Sequence, residues 1–177
     1  RITAGVREYA PEAHILVVDD NSPDGTADIV RELITEDTNI SLLSRRGKEG
    51  LGEAYLNAFS EMSKDPSIEW VQMMDADFSH DPKYLPDMFA ASQHADVVIG
   101  SKYVPGGGTA GWVAWRRWLS RFANRYCRII TGITHAAHQV PFIRTTILWR
   151  IVGKYKIAAD SWFKFISEVG GDAKILQ

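Results

Sequence analysis

His14-Ile15-Leu16-Val17-Val18-Asp19-Asp20-Asn21-Ser22-Pro23-Asp24-Gly25-Thr26, residues 14–26, decides the fold class. The apolar, β-branched run from His14 to Asp19 has no polar position alternating along it, so it reads as a buried parallel strand. It breaks into turn formers at Asn21, Ser22, Pro23 and Gly25. Asp24 can then cap a helix that carries Ile29, Val30 and Leu33. The unit is strand, polar turn, helix.

That unit recurs along the chain. Ile40 to Leu43, Trp70 to Met74 and Asp96 to Gly100 read as strands, and Leu51 to Met62 and Lys83 to Ala91 as helices. Residues before His14 read as the end of a helix. Such alternation predicts an α/β fold, a mostly parallel sheet flanked by helices, and 177 residues suit a single domain. Ligands of these sheets bind outside the carboxyl ends of the strands, where the polar clusters lie. After Tyr103 the character changes to a Gly-rich loop, Val104 to Gly108, and a long Trp- and Arg-rich segment, Trp112 to Ile130. Further helices are expected near Thr146 to Val152 and Ser161 to Glu168.

The composition, 45% hydrophobic and 24% charged, is that of a globular domain. With 20 basic against 22 acidic residues and a net charge of -2, nothing suggests nucleic-acid binding, and any basic surface must be local. Cys127 is the single cysteine and can form no internal disulfide, which fits a reducing compartment. No run reaches the roughly 20 apolar residues of a spanning helix, so work at a membrane would be done from its surface. The chain opens at Arg1 without an initiator Met, and the expectation is a trimmed or incompletely represented protein.

Four clusters carry chemistry. Asp75-Ala76-Asp77 ends a strand, where alternation puts both carboxylates on one side. Such a pair repels unless a cation lies beside it, and a diphosphate can supply the remaining oxygens of an Mg²⁺ or Mn²⁺ site. Pairs of this kind also end strands as simple caps and turns. Asp19 and Asp20 end an earlier strand on the same edge and can accept N–H groups of a nucleotide base. In Lys48-Glu49-Gly50-Leu51-Gly52-Glu53-Ala54-Tyr55, two glycines allow backbone to approach a ligand, while Lys48 and Arg45 add positive charge. A tight turn and a solvated lysine explain the same residues equally well.

In the fourth cluster, Trp115, Trp118, Leu119, Phe122, Tyr126 and Ile129 share one helical face. Arg117, Arg121, Arg125 and Arg128 form the opposite stripe. This is the pattern of an amphipathic helix lying on a membrane, or of a core helix with a solvated arginine face. Arg116 and Ser120, four residues apart, share a face of their own. His135 and His138 have metal-like spacing, but without a third ligand they read as loop residues.

VDDNSPDGT at residues 18–26, KEGLGEAY at 48–55, MDADFSHDP at 74–82 and GSKYVPGGG at 100–108 resemble, in this order, the motifs of family 2 glycosyltransferases. The similarity is closest to dolichyl- or polyprenyl-phosphate mannose synthases and covers about residues 5 to 131. The resemblance implies a GT-A, Rossmann-like domain with a nucleotide-sugar half, residues 1–103, and an acceptor and membrane-facing half, residues 104–177. It implies that Asp20 binds the base, that Asp75 lies near the ribose or the metal, and that Asp77 is a metal ligand with Ser79 beside it. Lys102, Arg116 and Ser120 would contact the lipid phosphate. Catalysis would then rest on Asp77, Arg116 and Lys102, and nucleotide-sugar binding on Asp19, Asp20, Lys48, Asp75 and Asp77.

The function so implied is an inverting, divalent-cation-dependent transfer of mannose from GDP-mannose to a polyprenyl or dolichyl phosphate, at the cytosolic face of a membrane. UDP-glucose or another donor, a soluble acceptor, or a non-catalytic nucleotide-binding module are the alternatives. A dinucleotide oxidoreductase shares the sheet, but DDNSPDGT stands where G-x-G-x-x-G is expected. The family's first strand with its Tyr-Asn-Glu segment is absent, as expected if residues before Arg1 are missing. Its Gly-Phe-Arg stretch is not recognisable between Thr134 and Ile151.

Overall fold

The computed structural model describes residues 1–100, 111–131, 140–144 and 175–176. The Val104 to Gly108 loop, His135, His138 and the helices expected near 146–152 and 161–168 lie outside the described residues.

The elements follow the expected order. Helix α1 (Ile2–Tyr9) precedes β1 (Ile15–Asp19), α2 (Thr26–Glu36), β2 (Ile40–Ser44), α3 (Leu51–Met62) and β3 (Trp70–Gln72). A 3-10 turn at Pro82–Tyr84 leads into α4 (Leu85–Ser92), then β4 (Val97–Gly100), α5 (Ala114–Thr131), β5 (Val140–Arg144) and β6 (Ile175–Leu176). The α/β class is as expected, with parallel pairs β1-β2 and β4-β6. The strands form two sheets among the described residues, β1-β2 and β3-β5-β4-β6. Strand β5 was not foreseen; it runs antiparallel between β3 and β4.

The register explains why β3 ends at Gln72 rather than Met74. Gln72 faces Phe142, so the next ladder partner would be Pro141, which has no N–H to donate. Asp75 and Asp77 therefore stand in the turn beyond the strand, not on one side of it as alternation predicts.

Two further expectations change. Asp24 does accept the Thr26 N–H, at 3.1 Å, and the Thr26 hydroxyl, at 2.7 Å. The N-cap position itself, however, belongs to Gly25, whose φ of 80° lies in the left-handed region that glycine adopts without strain. Strand β1 is half-buried along Ile15, Leu16, Val17 and Val18 rather than enclosed. Among the described residues it pairs with β2 alone, and its residues line a cavity of about 1520 Å³ together with those of β3.

The densest packing lies elsewhere. Val97, Val98 and Ile99 of β4 are buried, and Trp70, Met88 and Ala91 pack against the Ala95–Val98 cluster. Helix α1 is tied to the β1-β2 layer by Arg7, whose Nε donates to Asp37 Oδ2 at 2.6 Å and whose Nη1 donates to Pro11 O at 2.9 Å. Its other side meets the acidic loop. A Cβ on Gly5 would stand 3.2 Å from Pro82 Cγ and 3.7 Å from Phe78 Cε1, so the missing side chain lets the helix rest there. In α3, Phe59 is 2% exposed and stacks on Tyr55 with ring centroids 6.2 Å apart. Phe59→Ala should lower stability by about 3–5 kcal/mol, through lost transfer energy and the void left behind. Urea unfolding checks it, and a change under 1 kcal/mol would show that the surroundings collapse into the space.

Candidate nucleotide and acceptor sites

The register Asp19↔Ser44 carries β1 and β2 off the sheet side by side, so that Asp20 and Arg45 are the next residues of each. Arg45 N–H donates to Asp19 O at 2.8 Å, extending the ladder by one bond. The Arg45 side chain, 5% exposed, donates from Nη1 to Asp20 Oδ1 at 2.6 Å and from Nη2 to Glu49 Oε2 at 3.1 Å. One buried guanidinium thus joins the ends of two strands to the turn before α3. Its Nε is buried without a hydrogen-bond partner. The sequence shows Arg45 only as a nearby charge; equal offset from two paired strands is the signal that would have found the pair.

Asp19 and Asp20 separate in role. Asp19 is buried, and its Oδ2 accepts the Ser22 N–H at 3.2 Å, closing the turn. Asp20 lines the cavity, as do Ser22, Tyr55 and Asp75. The structure thus brings Asp20 and Asp75 to one cavity, whose body is lined mostly by apolar side chains of β1, β3, α3 and α4. Lys48 is exposed and, like Asp77, is not part of that lining. Gly50, with φ 101°, has open space where a Cβ would project, which keeps the turn before α3 accessible.

The acidic turn has its own architecture. Asp75 N–H donates to His80 Nδ1 at 3.0 Å. That bond needs the ring lone pair, so the 3.8 Å approach of His80 Nδ1 to Asp75 Oδ2 is not an ion pair in this protonation state. Asp77 Oδ1 accepts the Ser79 N–H at 2.8 Å. The Ser79 hydroxyl and then its backbone N–H hold the Asp77 carboxyl below the usual range, so the exposed group stays ionised. Between them Phe78 has φ 62°, a left-handed conformation costly for a bulky side chain; Asn21, following Asp20, has φ 61°. Burial first, and the charge of Asp75 second, raise the Tyr55 hydroxyl above its ordinary range.

Among the described residues no group of three or more His, Cys, Asp or Glu side chains is placed to hold a metal ion by itself. Asp75 and Asp77 fit a different arrangement, in which one or two carboxylates share an Mg²⁺ or Mn²⁺ ion with substrate phosphates and water. The Ser79 backbone N–H supports the Asp77 carboxylate in this structure.

Helix α5 presents the second site. Trp115, Trp118, Leu119, Phe122, Tyr126 and Ile129 are between 49% and 74% exposed, so the apolar face is not packed in the core. Trp118 stacks on Phe122 at 5.7 Å. The helix carries five arginines and no acidic residue. Arg116 and Arg117 lie in its first turn, where the helix dipole opposes cations and an anion would relieve them. Arg116 is exposed, with its guanidinium carbon 4.4 Å from the centre of the Trp112 ring. Ser120 is partly buried one turn on. Lys102 lies outside the described residues.

A family model described as "Glycosyl transferase family 2" matches residues 1–152. An undecaprenyl-phosphate mannosyltransferase of Micrococcus luteus is 42% identical over 131 residues, which are 72% of this chain and 52% of that protein. A polyprenol monophosphomannose synthase of Mycolicibacterium smegmatis is 43% identical over 135 residues, 75% of this chain and 50% of the other. The chain spans about half the length of these relatives.

The Asp77 geometry makes a pH prediction. Its carboxyl is depressed in the folded state, so the stabilising contribution of the ionised form is present above the ordinary carboxylate range and is lost as pH falls through the lowered pKa. Ser79→Ala removes the larger cause and should move the Asp77 titration upward, toward the ordinary value. Carboxyl-carbon NMR reads it directly; an unmoved titration would assign the shift to backbone N–H groups alone.

Proposed function

The chain belongs to glycosyl transferase family 2, and we propose on that premise that it is the catalytic part of a polyprenyl-phosphate mannosyltransferase. The observation that carries the lipid acceptor is α5, an arginine-rich helix whose Trp-containing face is open to the outside. Such a face suits the boundary between headgroups and acyl chains, with arginines directed to anionic lipid. Among the described residues no helix is long and apolar enough to cross a membrane. We propose a peripheral placement for this part, at the cytosolic face, where a nucleotide sugar is at hand.

The donor proposed is GDP-mannose. The names of the relatives support the sugar, and Asp20, held by Arg45 through one oxygen, keeps its other oxygen for the N–H groups of a base. Lys48 stands exposed at the same connection, available to a diphosphate. UDP-glucose as donor would need the same carboxylate and remains the alternative for the experiment to exclude.

The chemistry asks little of an acid or base. A lipid phosphate is already anionic at neutral pH, so its oxygen can attack the anomeric carbon as that carbon parts from the nucleoside diphosphate. In-line attack inverts the centre. Asp77, kept ionised by Ser79, and Asp75 would hold an Mg²⁺ or Mn²⁺ ion. When bound, that ion supplies stabilisation of the charge building on the departing diphosphate. Arg116, Ser120 and Lys102 would offset the repulsion between two anionic substrates and aim the attacking oxygen.

Adsorption to vesicles tests the role of α5. Each arginine near an anionic surface contributes about 1 kcal/mol, so Arg121→Gln with Arg125→Gln should weaken binding to phosphatidylglycerol vesicles about 30-fold. The difference should shrink in high salt as the charges are screened. Equal adsorption of mutant and parent at low salt would remove α5 from the membrane contact.

A further inference from the structure

Arg116 has the task of meeting a phosphate, yet an exposed arginine on the first turn of a helix ordinarily samples many rotamers. Here it does not stand alone. Trp112, two residues before α5 begins, folds its indole under the guanidinium, with 4.4 Å from the Arg116 guanidinium carbon to the ring centre. Trp112 is itself only partly exposed, whereas the aromatic residues of the outward stripe, Trp115 and Trp118, are 67% and 66% exposed. It therefore differs in role from the residues that face outward.

The contact has a directional consequence. A guanidinium set over a ring keeps the N–H donors at its edge for in-plane bonds to a ligand. A phosphate needs that edge, because paired N–H donors match two of its oxygens. Trp112 also restricts the side chain before the ligand arrives, so less freedom is lost on binding. Ser120, one helical turn beyond Arg116, lies on the same side to receive another oxygen.

We propose that Trp112 is a positioning residue for the acceptor phosphate, acting through Arg116. The inference rests on the reading of Arg116 as the acceptor-phosphate ligand. It excludes a purely structural Trp112, whose loss would disturb donor and acceptor use alike.

Steady-state kinetics on the full-length membrane enzyme separate these cases, with polyprenyl phosphate varied at saturating donor and then the reverse. Trp112→Leu should raise the acceptor KM about 3- to 30-fold, the range of a cation–π contact from exposed to desolvated. Donor KM should stay within twofold of the parent. Trp112→Phe, which keeps a weaker ring face, should fall between the two, and decides the matter if Trp112→Leu does not fold. In an Arg116→Gln background, Trp112→Leu should add less than twofold. If Arg116→Gln loses acceptor use while the Trp112 variants keep the parent's acceptor KM, or change both KM values together, Trp112 is not a positioning residue and the acceptor site stands. If Arg116→Gln itself leaves the acceptor KM unchanged, the acceptor reading falls and this inference with it.

Discussion

The buried guanidinium of Arg45 is the constraint on which the ends of β1 and β2, and the turn before α3, depend. It joins Asp20 beyond β1 to Glu49 ahead of α3, while the Arg45 backbone N–H donates to Asp19 O. A cation 5% exposed is tolerated only with such partners. The 2.6 Å bond from Arg45 Nη1 holds the Asp20 carboxylate at the cavity. Breaking the pair would leave a charge buried beside the cavity, so the residues that hold the strand ends also shape the proposed binding site.

Around that fixed point the acidic loops are built alike. Each strand end gives a pair of carboxylates followed by a left-handed residue, Asn21 after Asp20 and Phe78 after Asp77. In each loop one carboxylate closes the turn with backbone N–H bonds, Asp19 to Ser22 and Asp77 to Ser79. Helix α1 braces the second loop through the contact of Gly5 with Phe78 and Pro82. Helix α5 has the opposite character, with five arginines and no acidic residue of its own. The proposed function uses that difference, with carboxylates on the donor side and arginines on the acceptor side.

The sequence made much of this legible. Hydrophobic runs placed β1, β2, β4 and α3 within a residue or so, because each is a short apolar stretch bounded by turn formers. That Asp20 and Asp75 would lie on one side of the sheet was legible, and both line the same cavity, though Asp75 does so from the turn beyond β3. Other features depend on pairings that no local pattern carries. Met73 and Met74 look like strand residues, yet the ladder ends at Gln72 because of Pro141, almost seventy residues away. The Arg45–Asp20 pair needs the β1-β2 register. The half-burial of β1 goes with the cavity that its residues line, which its apolar run does not announce. The stacking of Trp112 on Arg116 was hidden by the helical wheel, since Trp112 precedes the helix.

The most direct test of the central claim is turnover by the full-length protein with labelled GDP-mannose or UDP-glucose, polyprenyl phosphate and Mg²⁺ or Mn²⁺. The account predicts mannosyl transfer to the lipid phosphate from GDP-mannose, with inverted anomeric configuration, and its loss when the cation is chelated. Transfer from UDP-glucose instead, transfer only to a soluble acceptor, or activity untouched by chelation would contradict it.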